Sequence, residues 1–288
     1  MNQVIRLAIP NKGRISEPIR ELIERSGLGI LENGDRTLIA RTRDPHVEIL
    51  YARPIDIPEY VATGVADLGI TGHDMVIERS SDVKELLNLG FGNATVVLAV
   101  PEKSQFKNPK DLEGKRVSTE FPAITRKFFK KLGIKPIIVP VGGACEVTPY
   151  LGISDAIVDL SSSGTTLRQN RLEVIETVLE TSTFLIANKQ SLIGKKEKIE
   201  EVHLALESVI NARGKCYLMM NVDRIHLDQV REIIPGLSGP TVMEVASRPD
   251  MVAVHVVVDA EKVYQLINRV KQAGARDILV MSVERLIR

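Results

Sequence analysis

Asp155-Ala156-Ile157-Val158-Asp159-Leu160-Ser161-Ser162-Ser163-Gly164-Thr165-Thr166-Leu167 is the stretch of this chain whose residue types and spacing best suit chemistry. An apolar run delivers two acids, opens into small hydroxyl-bearing residues, and leads into a helix expected from about Leu167. Successive backbone N–H groups in such a loop, its hydroxyls and a helix N-terminus make a cradle for a phosphate monoester. A carboxylate just ahead of the cradle suits ribose, because its oxygens accept from two neighbouring hydroxyls at once. The same pattern also describes an ordinary polar turn with an N-cap, since small residues are common before helices. The loop is neither a Walker A sequence nor a GxGxxG fingerprint.

Other chemistries lack their residues. His46, His73, His203, His226 and His255 show no HxxxH or HExxH spacing, so no intrinsic metal site is expected. Cys145 and Cys216 are far apart and outside any CxxC, which excludes a disulfide framework and points to a reducing compartment. Cys145, beside Glu146 after Gly142-Gly143-Ala144, reads as a buried thiol rather than a nucleophile. There is no GxSxG elbow. With 38 Lys+Arg against 37 Asp+Glu, a net charge of +1, 4% aromatics and no Trp, nucleic acid is not an expected partner. The apolar runs at 95–100 and 252–258 fall well short of the ~18 residues of a membrane helix. The N-terminus starts on an apolar strand with no leader pattern, so a soluble, cytoplasmic protein is expected.

Such a loop needs elements to hold it. The 288 residues, 44% hydrophobic and 26% charged, exceed the usual domain of about 100–200 residues and can bury cores. Patterning predicts a strand at 4–9, a helix at 17–26, strands at 37–41 and 47–51, a helix at 58–63 and a strand at 67–70. A second series follows from about 91: strands 95–100 and 115–119, helix 123–132, strand 135–139, a helix near 146–151 and strand 156–160. This alternation implies α/β architecture with a largely parallel sheet. Gly64-Val65-Ala66-Asp67-Leu68-Gly69-Ile70 is echoed by Gly152-Ile153-Ser154-Asp155-Ala156-Ile157-Val158, which suits two similar lobes facing across a cleft. Ligands of such sheets sit at the carboxyl ends of the strands. An amphipathic helix is expected at 191–213, and then a ferredoxin-like βαββαβ series that reads as a regulatory or assembly module. The expected division is 1–90 with about 180–192 as one lobe, 91–179 as the other, 193–214 as a link and 215–288 as the C-terminal domain.

Glu146, Gly152, Ser154, Ile157, Asp159, Leu160, Ser163-Gly164 and Thr166-Leu167 resemble, in type and spacing, the signature of the ATP phosphoribosyltransferases. Pro10-Asn11-Lys12-Gly13-Arg14, Arg53-Pro54-Ile55-Asp56-Ile57-Pro58, the segment from Gly64 through Gly72-His73-Asp74, and Asn170 extend the resemblance over nearly the whole chain. Pro235-Gly236-Leu237 and Pro240-Thr241 resemble the family's long form, whose extra domain binds histidine. The resemblance implies two lobes of the periplasmic-binding-protein type. It implies transfer of the phosphoribosyl group from phosphoribosyl pyrophosphate to N1 of ATP, with Mg²⁺ carried in by the substrate.

By the same resemblance Lys12, Arg53, Glu146 and Asp159 are catalytic. Asp155, Asp159, Ser162, Ser163, Gly164, Thr165 and Thr166 hold the donor. Lys12, Gly13, Arg14, Arg53, Gly72 and Asp74 take ATP and pyrophosphate, the arginines as planar forks. Asp223, Leu237, Thr241 and Asp277 are expected to bind histidine as inhibitor, within a homo-oligomer of dimers or a hexamer. Three residues depart from the family's habit: Phe121 stands for tyrosine, Ser161 for an apolar residue whose change alters packing, and Gly239 for serine near the inhibitor site. Two rival readings are a two-lobed solute-binding or sensor protein and a different phosphoribosyltransferase. The first needs a leader or a helix-turn-helix. The second ordinarily lacks the upstream Asn-Lys-Gly-Arg and Gly-Ile-Thr-Gly segments.

Overall fold

The computed structural model describes residues 4–31, 38–234, 236 and 239–288. They fall into two compact units, Met1–Ala205 and Leu206–Arg288. The first unit opens with β1 (Ile5–Pro10), whose apolar run is buried on both faces, and α1 (Ser16–Arg25), which turns Ile19, Leu22 and Ile23 inward. Next come β2 (Ile39–Arg41), β3 (Val47–Ala52), α2 (Ile57–Ala62), β4 (Leu68–Gly72), α3 (His73–Arg79) and β5 (Lys84–Asn88). The chain then builds β6 (Ala94–Pro101), β7 (Arg116–Thr119), α4 (Pro122–Leu132), β8 (Ile137–Pro140), β9 (Ala156–Ser161), α5 (Thr165–Gln169) and β10 (Leu172–Thr181). It returns through β11 (Thr183–Ala187), followed by α6 (Ser191–Gly194) and α7 (Lys196–Ala212).

Two sheets result, ordered β2-β3-β1-β4-β11-β5 and β10-β6-β9-β7-β8. The α/β class stands, but each sheet is mixed rather than largely parallel: only β3-β1-β4 in the first and β9-β7-β8 in the second are parallel. β10 and β11 pair antiparallel with their neighbours as the chain passes between sheets. Patterning misses β10 because Leu172–Thr181 is charged, largely exposed and carries two register shifts that break its alternation. The helix expected near 146–151 is only a 3₁₀ turn at Cys145–Val147. Pro149 has no N–H to continue it, and Ala144 enters with a left-handed φ of 50°. The single helix expected at 191–213 is divided at Lys195, whose ammonium bonds Asp67 and the Val4 carbonyl.

Phe129 is 1% exposed and packs in the second sheet's core with Val96, Leu98, Val117 and Val158. Phe129→Ala should cost about 3–5 kcal/mol of stability. Urea unfolding followed by circular dichroism should show that loss as a lower midpoint with an unchanged slope.

The second unit contains β12 (Lys215–Asp223), α8 (Leu227–Ile233), β13 (Thr241–Glu244), β14 (Met251–Asp259), α9 (Val263–Gln272) and β15 (Ala275–Ser282). Its sheet, β13-β14-β12-β15, is antiparallel throughout and has the ferredoxin-like strand order expected from βαββαβ. Alternate residues Leu218, Met220, Val222, Val254 and Val256 are buried with Val230 of α8 and Leu266 and Val270 of α9. Among the described residues no helix is long and apolar enough to cross a membrane.

Candidate functional site

Strand register brings the candidate residues to two sheet edges. In the first sheet β1 and β3 are parallel, with Pro10 opposite Ala52, so Lys12 and Arg53 leave the same edge. Leu7 pairs with Leu68, which puts Gly72 at that edge too. In the second sheet Thr119 of β7 pairs with Val158 of β9 and with Pro140 of β8. Glu120, the Gly142–Glu146 turn and Asp159 therefore meet at one carboxyl edge, where open α/β sheets bind ligands. A cleft of about 590 Å³ lies where the chain crosses between the sheets, lined by His73, Asn93, Ala94, Thr95, Ser162, Glu180, Thr181, Ser182 and Phe184; Ser162 of the hydroxyl-rich loop is the candidate residue that reaches it.

The hydroxyl-rich loop is a bonded turn. Ser161 Oγ accepts from the Gly164 N–H at 3.1 Å, and Ser163 Oγ donates to Thr165 Oγ1 at 2.9 Å. Gly164 has φ +70°, a conformation that glycine adopts freely. Ser162, Ser163, Thr165 and Thr166 are exposed and Gly164 is half-buried, so the loop's surface is open to an anion. Ser161 is more than a packing change, because its hydroxyl closes the turn. Arg168 leans back over the loop and donates to the Ser163 carbonyl and Thr165 Oγ1, a cation that spacing did not single out.

Asp159 is the electrostatic centre. Burial, followed by the charges of Glu120 and Glu146, pushes its carboxyl up to about 6, against one bond from the Leu160 N–H. Spacing does not single out Glu120, which follows β7 directly and comes level with Asp159 of β9, one parallel strand over. Burial, then the charges of Asp159, Glu120 and Glu146, also drives the Cys145 thiol upward, and the residue is fully buried. That leaves no thiolate for nucleophilic work.

At the first sheet's edge Lys12 and Gly13 are exposed, and Gly13 has φ +103°. Arg53 is 70% exposed; its Nε bonds Asp56 Oδ2 at 2.6 Å, which holds the guanidinium above its ordinary pKa. Arg14 spends two donors on the carbonyls of Gly92 and Asn93 at the crossing between sheets.

Two acids expected at the site lie elsewhere. Asp155 precedes β9, about 20 Å along the strand from Ser162, and its carboxylate is tied to the Arg116 N–H and guanidinium. Strand length alone removes it from the donor loop. Asp74 is 3% exposed: its Oδ1 accepts from Thr181 Oγ1 at 2.7 Å, while its N–H donates to the same hydroxyl. It secures α3 to the crossing instead of facing a nucleotide. Gly72 leaves that carboxylate its place, since a Cβ there would stand 2.1 Å from Asp74 Oδ1 and force the side chain to shift.

In the second unit Asp223 pairs with Arg276, and Asp277 Oδ2 accepts from Asn221 at 2.9 Å, both at one end of β12. Asp223 Oδ1 is buried with no hydrogen-bond partner among the described residues. Thr241 lies opposite His255, whereas Asp223 lies opposite Met251, so the two are offset by four residues, about 13 Å along the strands. The structure thus separates Thr241 from the two acids; Leu237 lies outside the described residues. Among the described residues no group of three His, Cys, Asp or Glu is arranged to hold a metal.

Residues 53–208 match the family described as "ATP phosphoribosyltransferase", and residues 212–285 match "HisG, C-terminal domain". The chain is 54% identical over 284 residues to the ATP phosphoribosyltransferase of Methanococcoides burtonii, covering 99% of this chain and all of that protein. It is 53% identical over 289 residues to that of Methanosarcina acetivorans, with the same coverage. Among solved structures it is similar to a chain of the "ATP phosphoribosyl transferase (HisG:HisZ) complex from Thermotoga maritima". That match has a TM-score of 0.65 and 30% identity, covering 72% of this chain and 99% of that one.

Proposed function

The chain belongs to the ATP phosphoribosyltransferase family, enzymes of the first step of histidine biosynthesis, and from that premise we propose how its own residues carry the transfer. The supporting observation is that register gathers Lys12 and Arg53 at the carboxyl edge of one sheet, and Glu120 and Asp159 with the hydroxyl loop at the carboxyl edge of the other. The 5′-phosphate of phosphoribosyl pyrophosphate lies in the loop of Ser162, Ser163, Gly164, Thr165 and Thr166, with Arg168 as a further counter-charge. Asp159 accepts from the ribose hydroxyls. Lys12 and Arg53 take the triphosphate and the departing pyrophosphate.

N1 of adenine attacks C1′ as the bond to pyrophosphate breaks, so positive charge grows on the sugar. Glu120, Glu146 and Asp159, crowded enough to raise Asp159's proton affinity, favour that charge. Mg²⁺ arrives on the donor's own pyrophosphate oxygens, in keeping with described residues among which no three acids, His or Cys are arranged to hold a metal. When bound, that ion neutralises the leaving pyrophosphate. No covalent enzyme intermediate is needed; position and electrostatics suffice.

Mixing the protein with ATP, phosphoribosyl pyrophosphate and Mg²⁺ should release pyrophosphate and change the adenine absorbance as N1 is ribosylated. Chelating the Mg²⁺ should stop turnover, and dialysed protein should contain no stoichiometric metal. Absence of pyrophosphate release with Mg²⁺ present would overturn the reading.

For the second unit we propose a histidine-sensing role in a cytoplasmic homo-oligomer, carried by the family match over 212–285 and by the buried, half-satisfied Asp223. A chain ending before Lys215 is expected to keep turnover and lose inhibition by histidine. Equal sensitivity in the shortened and full chains would place the sensor elsewhere.

A further inference from the structure

His73 lines the cleft and has no part in the steps above. His73 opens α3, and its N–H donates to the Ser182 carbonyl at 3.0 Å. Because the next residue, Asp74, turns inward to Thr181, the ring of His73 faces the cleft that Ser162 of the donor loop also lines. Its side chain is 31% exposed. Two contacts fix the ring: Nδ1 lies 2.6 Å from Glu85 Oε1 on β5, and Phe184 lies beneath it at 5.6 Å between centroids, tilted by 44°. An ionised carboxylate only accepts, so in the neutral ring Glu85 selects the tautomer with its proton on Nδ1, which leaves Nε2 as the acceptor.

The chemistry of N1 ribosylation supplies a proton for that acceptor. Adenine enters neutral, and its N1 lone pair forms the bond to C1′ while the C1′–O electron pair departs with pyrophosphate. The base is then a cation whose positive charge is shared between N1 and N6, so a 6-amino proton becomes acidic. We propose that His73 is a further catalytic residue, its Nε2 accepting that 6-amino proton as N1 is ribosylated, with Glu85 as the residue that positions its ring. The amidinium becomes a neutral imine, His73 becomes imidazolium beside Glu85, and the proton passes to water after product leaves. This inference rests on the transferase reading above.

His73→Phe keeps an aromatic ring against Phe184 but has no nitrogen, and Glu85→Gln removes the charge behind it. Steady-state turnover is measured for both, with calorimetric titration of phosphoribosyl pyrophosphate. The expected result for His73→Phe is a kcat at least tenfold below wild type, with donor Kd within threefold. Glu85→Gln should lower kcat by at least threefold without raising the donor KM by as much. A loss of kcat under tenfold in His73→Phe, or a donor Kd weakened more than threefold, overturns the catalytic assignment. Wild-type kcat in Glu85→Gln removes Glu85 from it. If the wild-type protein itself makes no N1-ribosylated product, the transferase reading has failed; if it does and His73→Phe matches it, only this inference has.

Discussion

Asp159→Asn is expected to lower kcat/KM by about 100-fold while raising the melting temperature of the ligand-free protein. The loss follows from the ribose contact, where a charge-assisted hydrogen bond contributes roughly 1.5–3 kcal/mol. The gain follows from burial first and from Glu120 and Glu146 second, which lift this carboxyl from 3.8 to about 6. Between those values the folded chain holds a proton that the unfolded chain has lost. Stability from this group is therefore greatest at low pH, falls as pH rises from about 4 to about 6, and stays at its lowest above that. The full cost at neutral pH is about 3 kcal/mol. Asparagine has no charge to bury, so its melting temperature should exceed wild type by roughly 5 °C at pH 7.5 and by little at pH 4. Activity runs the other way, because wild-type turnover should decline as pH falls through about 6 and Asp159 loses its charge. Calorimetric melting at both pH values, beside a pH–rate profile, checks both limbs. A variant less stable than wild type at pH 7.5 would show that the site does not hold Asp159 at a cost.

Gly164→Val should weaken phosphoribosyl pyrophosphate binding by about 100-fold and leave ATP affinity within threefold. Gly164 has φ +70°, where a β-branched residue is strained by about 1–3 kcal/mol. A Cβ there would also stand 2.9 Å from the Arg168 guanidinium. To escape, the loop must give up the Gly164 N–H bond to Ser161 Oγ and with it the turn that presents its amides and hydroxyls. The segment is largely exposed and α5 has only five residues, so the fold has little to lose. Thr166→Ala, which removes one hydroxyl and no backbone constraint, should cost about tenfold. Titration of each substrate separately is the check, and unchanged donor affinity in both variants would take the loop out of the site.

The sequence by itself determined many of the elements and the hydroxyl-rich loop, because each is encoded within a few consecutive residues, though not the charged β10. β1 is a buried apolar run, α1 spaces Ile19, Leu22 and Ile23 on one face, and Ser161 through Thr166 are small residues where a strand ends. The ferredoxin-like order was equally legible, since its strands alternate between a core face and an open one. Gly64 and Gly152, matched in the sequence echo, both take left-handed φ before β4 and β9. Only the tertiary structure decided which acids meet. Asp155 and Asp159 are four residues apart, yet the strand carries them to opposite ends, one onto Arg116 and the other beside Glu120 and Glu146. Glu120 and Glu146 join Asp159 through parallel register, a pairing between segments far apart in the chain. Asp74 and His73 are neighbours, and the first turn of α3 buries the acid that was expected at the site while His73 lines the cleft. Local patterns record what a residue can do. Register and burial, set by strands that find each other across a hundred residues, decide what it faces and what charge it bears.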